Sequence, residues 1–143
     1  MRRFTKEHEW VDWNEEEGVA TMGITEHAAE ELGDITFVEL PDTDVALQQG
    51  DVLGVIESVK AAADIYAAVG GTVCAVNEKL EDAPELINEE TESDGWICKF
   101  NKVQKRDFDS LMDEEEYDAF LADLDDNAGG ADALDLDEDD EDA

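Results

Sequence analysis

The chain has 143 residues, and 42 Asp plus Glu against 9 Lys plus Arg give it a formal charge of −33. That excess excludes a basic surface for nucleic acid or anionic lipid, because both attractions need clustered Lys and Arg. With 42% hydrophobic residues at this length there is material for a single modest core, and two large domains will not fit.

The opening Met1-Arg2-Arg3-Phe4-Thr5-Lys6-Glu7 turns polar at once, and no apolar run approaches the roughly 18 residues of a spanning helix. A soluble, unexported, cytoplasmic protein of prokaryotic type is the expectation. Next, Gly18-Val19-Ala20-Thr21-Met22-Gly23-Ile24 reads as a strand. Thr25 then offers a hydroxyl cap to a short helix over 26–32, stopped by Gly33. Further strands are expected over 34–40, closed by Pro41, over 52–56 after the Gln48-Gln49-Gly50-Asp51 turn, over 72–76, and over 95–100, where Trp96, Cys98 and Phe100 alternate onto one face.

Residues 59–69, Val-Lys-Ala-Ala-Ala-Asp-Ile-Tyr-Ala-Ala-Val, carry the propensities of a capped, Ala-rich helix, and a tight hairpin with Lys60 at its tip competes with that reading. Asp82-Ala83-Pro84-Glu85-Leu86-Ile87 suits one helical turn with Pro84 near its start. Asp113 can cap a last helix, with Glu116 reaching back as a capping box and Tyr117, Phe120, Leu121 and Leu124 forming an apolar stripe. Short strands with peripheral helices and a C-terminal helix imply a mostly β domain over 1–124. Residues 123–143 hold eleven acids and no base, so 125–143 reads as a disordered acidic tail; without those eleven the rest still carries 31 acids against nine bases.

No catalytic constellation is present. The three serines (Ser58, Ser93, Ser110) lie in no Gly-Xaa-Ser-Xaa-Gly elbow, neither Gly pair is followed by the Lys of a phosphate loop, and the chain does not read as an enzyme. Cys74 and Cys98 are too few for a disulfide framework and have no metal-ligand spacing, which favours two buried, reduced thiols over a redox pair. His8, in His-Glu-Trp without a second His, reads as a surface or capping residue, so no metal site is expected.

Lys60 stands apart. It is one of six lysines, and between Val52 and Val69 only Glu57 and Asp64 also carry formal charge. A snorkelling side chain paired with a carboxylate is one reading; an amine displayed for covalent attachment as an amide is the other.

At this point the sequence resembles the H-protein family of the glycine cleavage system. The resemblance runs through Thr5-Lys6-Glu7-His8-Glu9-Trp10-Val11, 19–28, 32–41, Gly54-Val55-Ile56-Glu57-Ser58-Val59-Lys60-Ala61, 77–88 and Gly95-Trp96, and ends near Leu124. It implies a barrel-sandwich hybrid of the lipoyl/biotinyl-like kind, two short antiparallel sheets with a lipoyl group on the lysine at a hairpin tip. That lysine would be Lys60, with Glu57, Ser58, Val59 and Ala61 as its attachment context, and the hairpin should then override helical propensity over 59–69. Val59 before the lysine separates this family from 2-oxoacid dehydrogenase lipoyl domains (Asp-Lys-Ala) and biotin carriers (Met-Lys-Met). Ala68, Gly70 and Glu92-Ser93-Asp94 depart from the family's usual residues in loops, leaving the attachment motif intact.

The function so implied is that of a non-catalytic carrier. Its covalent lipoate would take the aminomethyl group of glycine from the glycine decarboxylase (P protein) to the aminomethyltransferase (T protein), and electrons to dihydrolipoamide dehydrogenase (L protein). A lipoate-attaching enzyme would load it, and neither nucleic acid nor membrane is a partner. The same resemblance places Glu9, His27 and Asp64 in a cleft that shelters the arm's loaded end. A competing reading is a lipoyl relay that supplies 2-oxoacid dehydrogenases.

The acid surplus within 1–124 belongs on the outside of a folded domain, either as adaptation to high salt or for solubility alone. If salt adaptation is its cause, thermal melts should show the midpoint rising as salt goes from near zero to molar levels, because screening removes self-repulsion; a flat or falling midpoint would leave solubility as the cause.

Overall fold

The computed structural model describes residues 1–130, without the side chains of 125–130. The strands are β1 (Arg2–Phe4), β2 (Glu9–Asn14), β3 (Val19–Ile24), β4 (Ile35–Glu39), β5 (Ala46–Leu47), β6 (Val52–Ser58), β7 (Ala62–Tyr66), β8 (Gly71–Val76) and β9 (Cys98–Asn101). The helices are α1 (Glu26–Leu32), α2 (Lys79–Asp82), α3 (Leu86–Glu89), α4 (Lys105–Asp109) and α5 (Glu114–Gly130). One sheet has the order β1-β2-β3-β9-β8-β5 and the other β4-β6-β7. Every pairing is antiparallel. The mostly β, two-sheet class with short helices is as the sequence implied.

The two sheets contribute to one buried cluster. Val11, Met22 and Ile24 come from β2 and β3, Phe100 from β9 and Val73 from β8, while Ile35, Val38, Leu53, Ile56 and Ile65 come from the smaller sheet. Helical Leu80, Ile87 and Phe108 join it. Apolar burial at about 25 cal/mol per Å² is the main stabilising term, which is why so charged a chain still folds. Trp10 is held by its indole N–H donating to the Thr91 carbonyl at 3.1 Å, with the Arg2 guanidinium 4.3 Å above the ring. Its register partner is Gly23, where a β-carbon would lie 3.0 Å from the indole nitrogen, so only glycine lets the ring lie flat across the neighbouring strand.

The chain divides into two units, one over Met1–Leu111 and one beginning at Met112. In the second, α5 begins at the expected capping box. The Asp113 carboxylate accepts from the Glu116 amide at 2.8 Å, and the Asp113 amide donates to the Glu116 carboxylate at 2.9 Å. The boundary expected at 124/125 falls inside α5, which runs on to Gly130; the rest of the segment expected to be disordered, 131–143, lies outside the described residues. Among the described residues no helix is long and apolar enough to cross a membrane.

Three expectations need adjustment. Residues 59–69 are not helical: β6 and β7 pair from Val52↔Tyr66 to Glu57↔Ala62, leaving the hairpin tip at 59–61. Trp96 does not share a strand face with Cys98 and Phe100, because β9 starts at Cys98; Ile97 is the fully buried residue ahead of it, and Trp96 is half-buried with the Lys99 amine 4.9 Å from its ring. The turn after Pro84 forms as α3, but α2, α4, β1, β2 and β5 had no counterpart among the expected elements.

Candidate functional site

The site is built around the β6–β7 tip, where Ser58 closes the turn. The Ser58 hydroxyl accepts from the amides of Lys60 and Ala61, each at 3.1 Å, and donates to the Ala61 carbonyl at 3.2 Å. The Ser58 amide donates to the same carbonyl at 2.8 Å. Four bonds across four residues fix the bend, and a serine side chain can do this because its oxygen both accepts and donates at short reach. Glu57, Val59, Lys60 and Ala61 are exposed and Ser58 half-buried.

The tip is also tied to the chain beneath it. The Val59 amide donates to the Asp34 carbonyl at 3.1 Å. Asn88, from α3, holds the residues on either side of Asp34: its amide nitrogen donates to the Gly33 carbonyl at 2.9 Å, and its side-chain oxygen accepts from the Ile35 amide at 2.9 Å. Gly33 ends α1 at a φ of +79°. A β-carbon there would come within 3.1 Å of the Lys60 ε-carbon, so the lysine stem passes across a position kept bare. Asn88 and Gly33 were not among the expected site residues; the bonds of Asn88 to the segment beneath the tip, and the approach of Lys60 to Gly33, span too many residues for any local signal to reveal.

The three expected cleft residues are not equivalent. Glu9 is a buried carboxyl, 3% exposed, that joins the two sheets: it accepts from the Tyr66 amide of β7 at 2.8 Å and from the Thr5 hydroxyl at 3.1 Å. Burial raises its pKa from the usual 4.5 to about 7, against the lowering effect of those two donors, and Glu7 adds to the rise. Asp64 lies two residues before Tyr66 on β7, exposed. Among the described residues neither Asp64 nor Lys60 is in an ion pair, so the snorkelling, carboxylate-paired reading of Lys60 is not what the structure has.

His27, on α1, meets a residue expected to be a surface or capping group. The His8 and His27 rings lie 4.4 Å apart at 41°, and His27 Nε2 is 3.4 Å from the Glu31 carboxylate. His8 is half-buried at a φ of +68°, its carbonyl accepting from the amide of Thr25 at 2.9 Å. Thr25 in turn caps α1 by accepting from the Ala28 amide. Burial, and secondarily His27, lowers the His8 pKa to about 4, which keeps the ring neutral at ordinary pH. The turn before β2 and helix α1 are thus pinned to each other. Of the two thiols expected to be buried, Cys98 is fully so and burial raises its pKa, which keeps it a neutral thiol at neutral pH, whereas Cys74 on β8 is only half-buried; both are free.

With this geometry in hand, the comparisons with known proteins agree on one family. A family model described as Glycine cleavage H-protein matches residues 2–124. The chain is similar to the glycine cleavage system H protein of Phenylobacterium zucineum, with 51% identity over 120 residues, or 84% of this chain and 98% of that one. It is also similar to that of Thermotoga maritima, with 47% identity over 122 residues, or 85% and 97%. A crystal structure of a glycine cleavage system H protein from Mycobacterium marinum aligns with a TM-score of 0.76 at 30% identity, over 85% of this chain and 96% of that one.

The buried Glu9 carboxyl generates a pH dependence of known sign. Its pKa in the fold lies above the unfolded value, so the fold binds this proton more tightly; the stability that Glu9 contributes in this way is fully present below about 4.5 and is lost as pH rises through about 7. The groups coupled to it are Glu7 and the Cys98 thiol. Urea unfolding of the wild type and Glu9→Gln at about pH 4 and about pH 8 should therefore show the difference moving in favour of Gln by about 3 kcal/mol. A difference that does not change with pH would contradict it.

Proposed function

This chain belongs to the glycine cleavage H-protein family, and from that premise we propose that it is a non-catalytic lipoyl carrier, with lipoate joined as an amide to Nζ of Lys60. It moves the aminomethyl group of glycine from the glycine decarboxylase to the aminomethyltransferase, and electrons to dihydrolipoamide dehydrogenase, after a lipoate-attaching enzyme has loaded it. The observation that carries this reading is the placement of Lys60: exposed, at the tip of a turn closed by Ser58, with its stem across the bare Gly33.

The residues present fit such a group. A modifying enzyme needs an amine it can surround, and the exposed residues Glu57, Val59 and Ala61 leave room on both strands of the tip. Glu57 and Asp64 are the only acids between Val52 and Val69, and amide formation removes the lysine's charge, so the attached arm would not be drawn to them. When bound, lipoate supplies a dithiolane whose sulfur takes the one-carbon unit and whose opening stores an electron pair. The chain's part is to tether and to shelter. Anchoring one end of the arm raises its effective concentration at each partner without any new contact. Asp64 and His27 form the sheltering side, where the exposed Asp64 carboxylate complements a cationic amine, and Glu9, buried with its pKa raised to about 7, supports that side through the Tyr66 amide.

Intact-mass measurement of the protein from its own cells, followed by peptide mapping, tests the attachment. A lipoyl adduct on the peptide that contains Lys60, absent from Lys60→Arg, is the expected result. Fully unmodified protein from cells that are breaking down glycine would overturn the proposal.

A further inference from the structure

We propose that His8, His27 and Glu31 form a binding site for a divalent transition ion of the Zn2+ class. This goes beyond the carrier reading, with which it shares His27, and does not depend on it, since no part of the lipoyl arm is a ligand.

Two segments distant in sequence supply the three donors. His27 and Glu31 are one turn apart on α1 and share a face. His8 comes from the turn before β2 and is locked beside them by the bond from the Thr25 amide to its carbonyl. One imidazole nitrogen from each histidine and a Glu31 carboxylate oxygen all lie within 4.8 Å of one another. A Zn2+ ion takes imidazole nitrogen at about 2.0–2.1 Å and carboxylate oxygen at about 2.0–2.2 Å, which puts neighbouring ligands of one tetrahedral ion a little over 3 Å apart. His27 and Glu31 already stand at 3.4 Å. Closing the rest takes a swing of the Glu31 side chain, which is 66% exposed and has room to move, together with a small rotation of a histidine ring that brings the two imidazole nitrogens together.

The donor set selects the ion. Two imidazoles and one carboxylate are the ligands of open three-residue zinc sites, with a fourth position left to water or an outside ligand. Mg2+ and Ca2+ prefer all-oxygen shells, so the abundant surface acids suit those ions, whereas the two imidazole nitrogens favour this class over them. Sequence spacing did not point here, because His8 is separated from its partners by two strands and a helix cap; the i, i+4 step from His27 to Glu31 was the only local signal.

The test uses Co2+ as a spectroscopic probe and Zn2+ as competitor, on the full chain carrying Lys60→Arg so that no arm thiol contributes, in excess Mg2+ to occupy the surface acids. One equivalent of Co2+ should bind with the intense visible absorption of a four- or five-coordinate ion and be displaced by Zn2+. In the same background, His27→Gln should bind about tenfold more weakly or worse. His8→Asn, chosen because Asn tolerates a positive φ, should do the same. Thermal melts report whether each variant is folded. Should either fail to fold, Glu31→Gln on the exposed face of α1 serves in its place, with the same loss expected. Co2+ that is six-coordinate only, or bound equally by the parent and a folded His27→Gln or Glu31→Gln chain, would overturn the proposal.

Discussion

A single serine hydroxyl sets the shape of the functional end of this molecule. By accepting from the amides of both Lys60 and Ala61, Ser58 turns two strands back on each other within four residues and leaves the lysine no backbone path into the core. Beneath it, Asn88 holds the carbonyl of Gly33 and the amide of Ile35, so the segment that receives the Val59 amide is itself fixed. The amine is therefore free to swing on its own four-carbon stem, from a base tied down by hydrogen bonds. A carrier needs this combination, because a flexible base would dilute the arm's end and a rigid arm could not visit several partners.

The same stretch shows where local and non-local forces compete. Ala61, Ala62, Ala63, Ala67 and Ala68 favour helix, but the differences among ordinary residues amount to at most about 0.7 kcal/mol each. The hairpin buries Ile65 and sends Ala67, Ala68 and Val69 into the core, and burying one large aliphatic side chain contributes about 1.5–3 kcal/mol. A helix over the same residues would leave β6 paired only with β4 and expose the inner face of the smaller sheet. Cross-strand packing wins on magnitude.

Features that depend on neighbours in sequence could be read directly. The Thr25 cap, the Gly33 stop, the Asp113–Glu116 box and the strands from Val19, Ile35, Val52 and Gly71 all follow from side chains within a few residues. Strand β2 escaped because Glu9, Trp10 and Val11 are buried in succession, which erases the alternation that marks a half-exposed strand. Glu9 is buried there with Thr5 donating to one carboxyl oxygen and Tyr66, 57 residues away, donating to the other. Lys60 was visible as an oddity of charge in an apolar stretch, whereas Glu9, His27 and Asp64 were visible only through family resemblance. The His8–His27 contact needed the folded chain.

If geometry and not local sequence makes Lys60 a substrate, the rate of enzymatic lipoylation is the measurement that decides it. A lipoate-attaching enzyme should modify the folded chain at least about tenfold faster than an equal concentration of an unstructured peptide spanning 52–69, because only the former presents the amine on a closed turn. Equal rates on chain and peptide would show that the turn contributes nothing to recognition, and the account of the fold as a device for presenting that amine would be wrong.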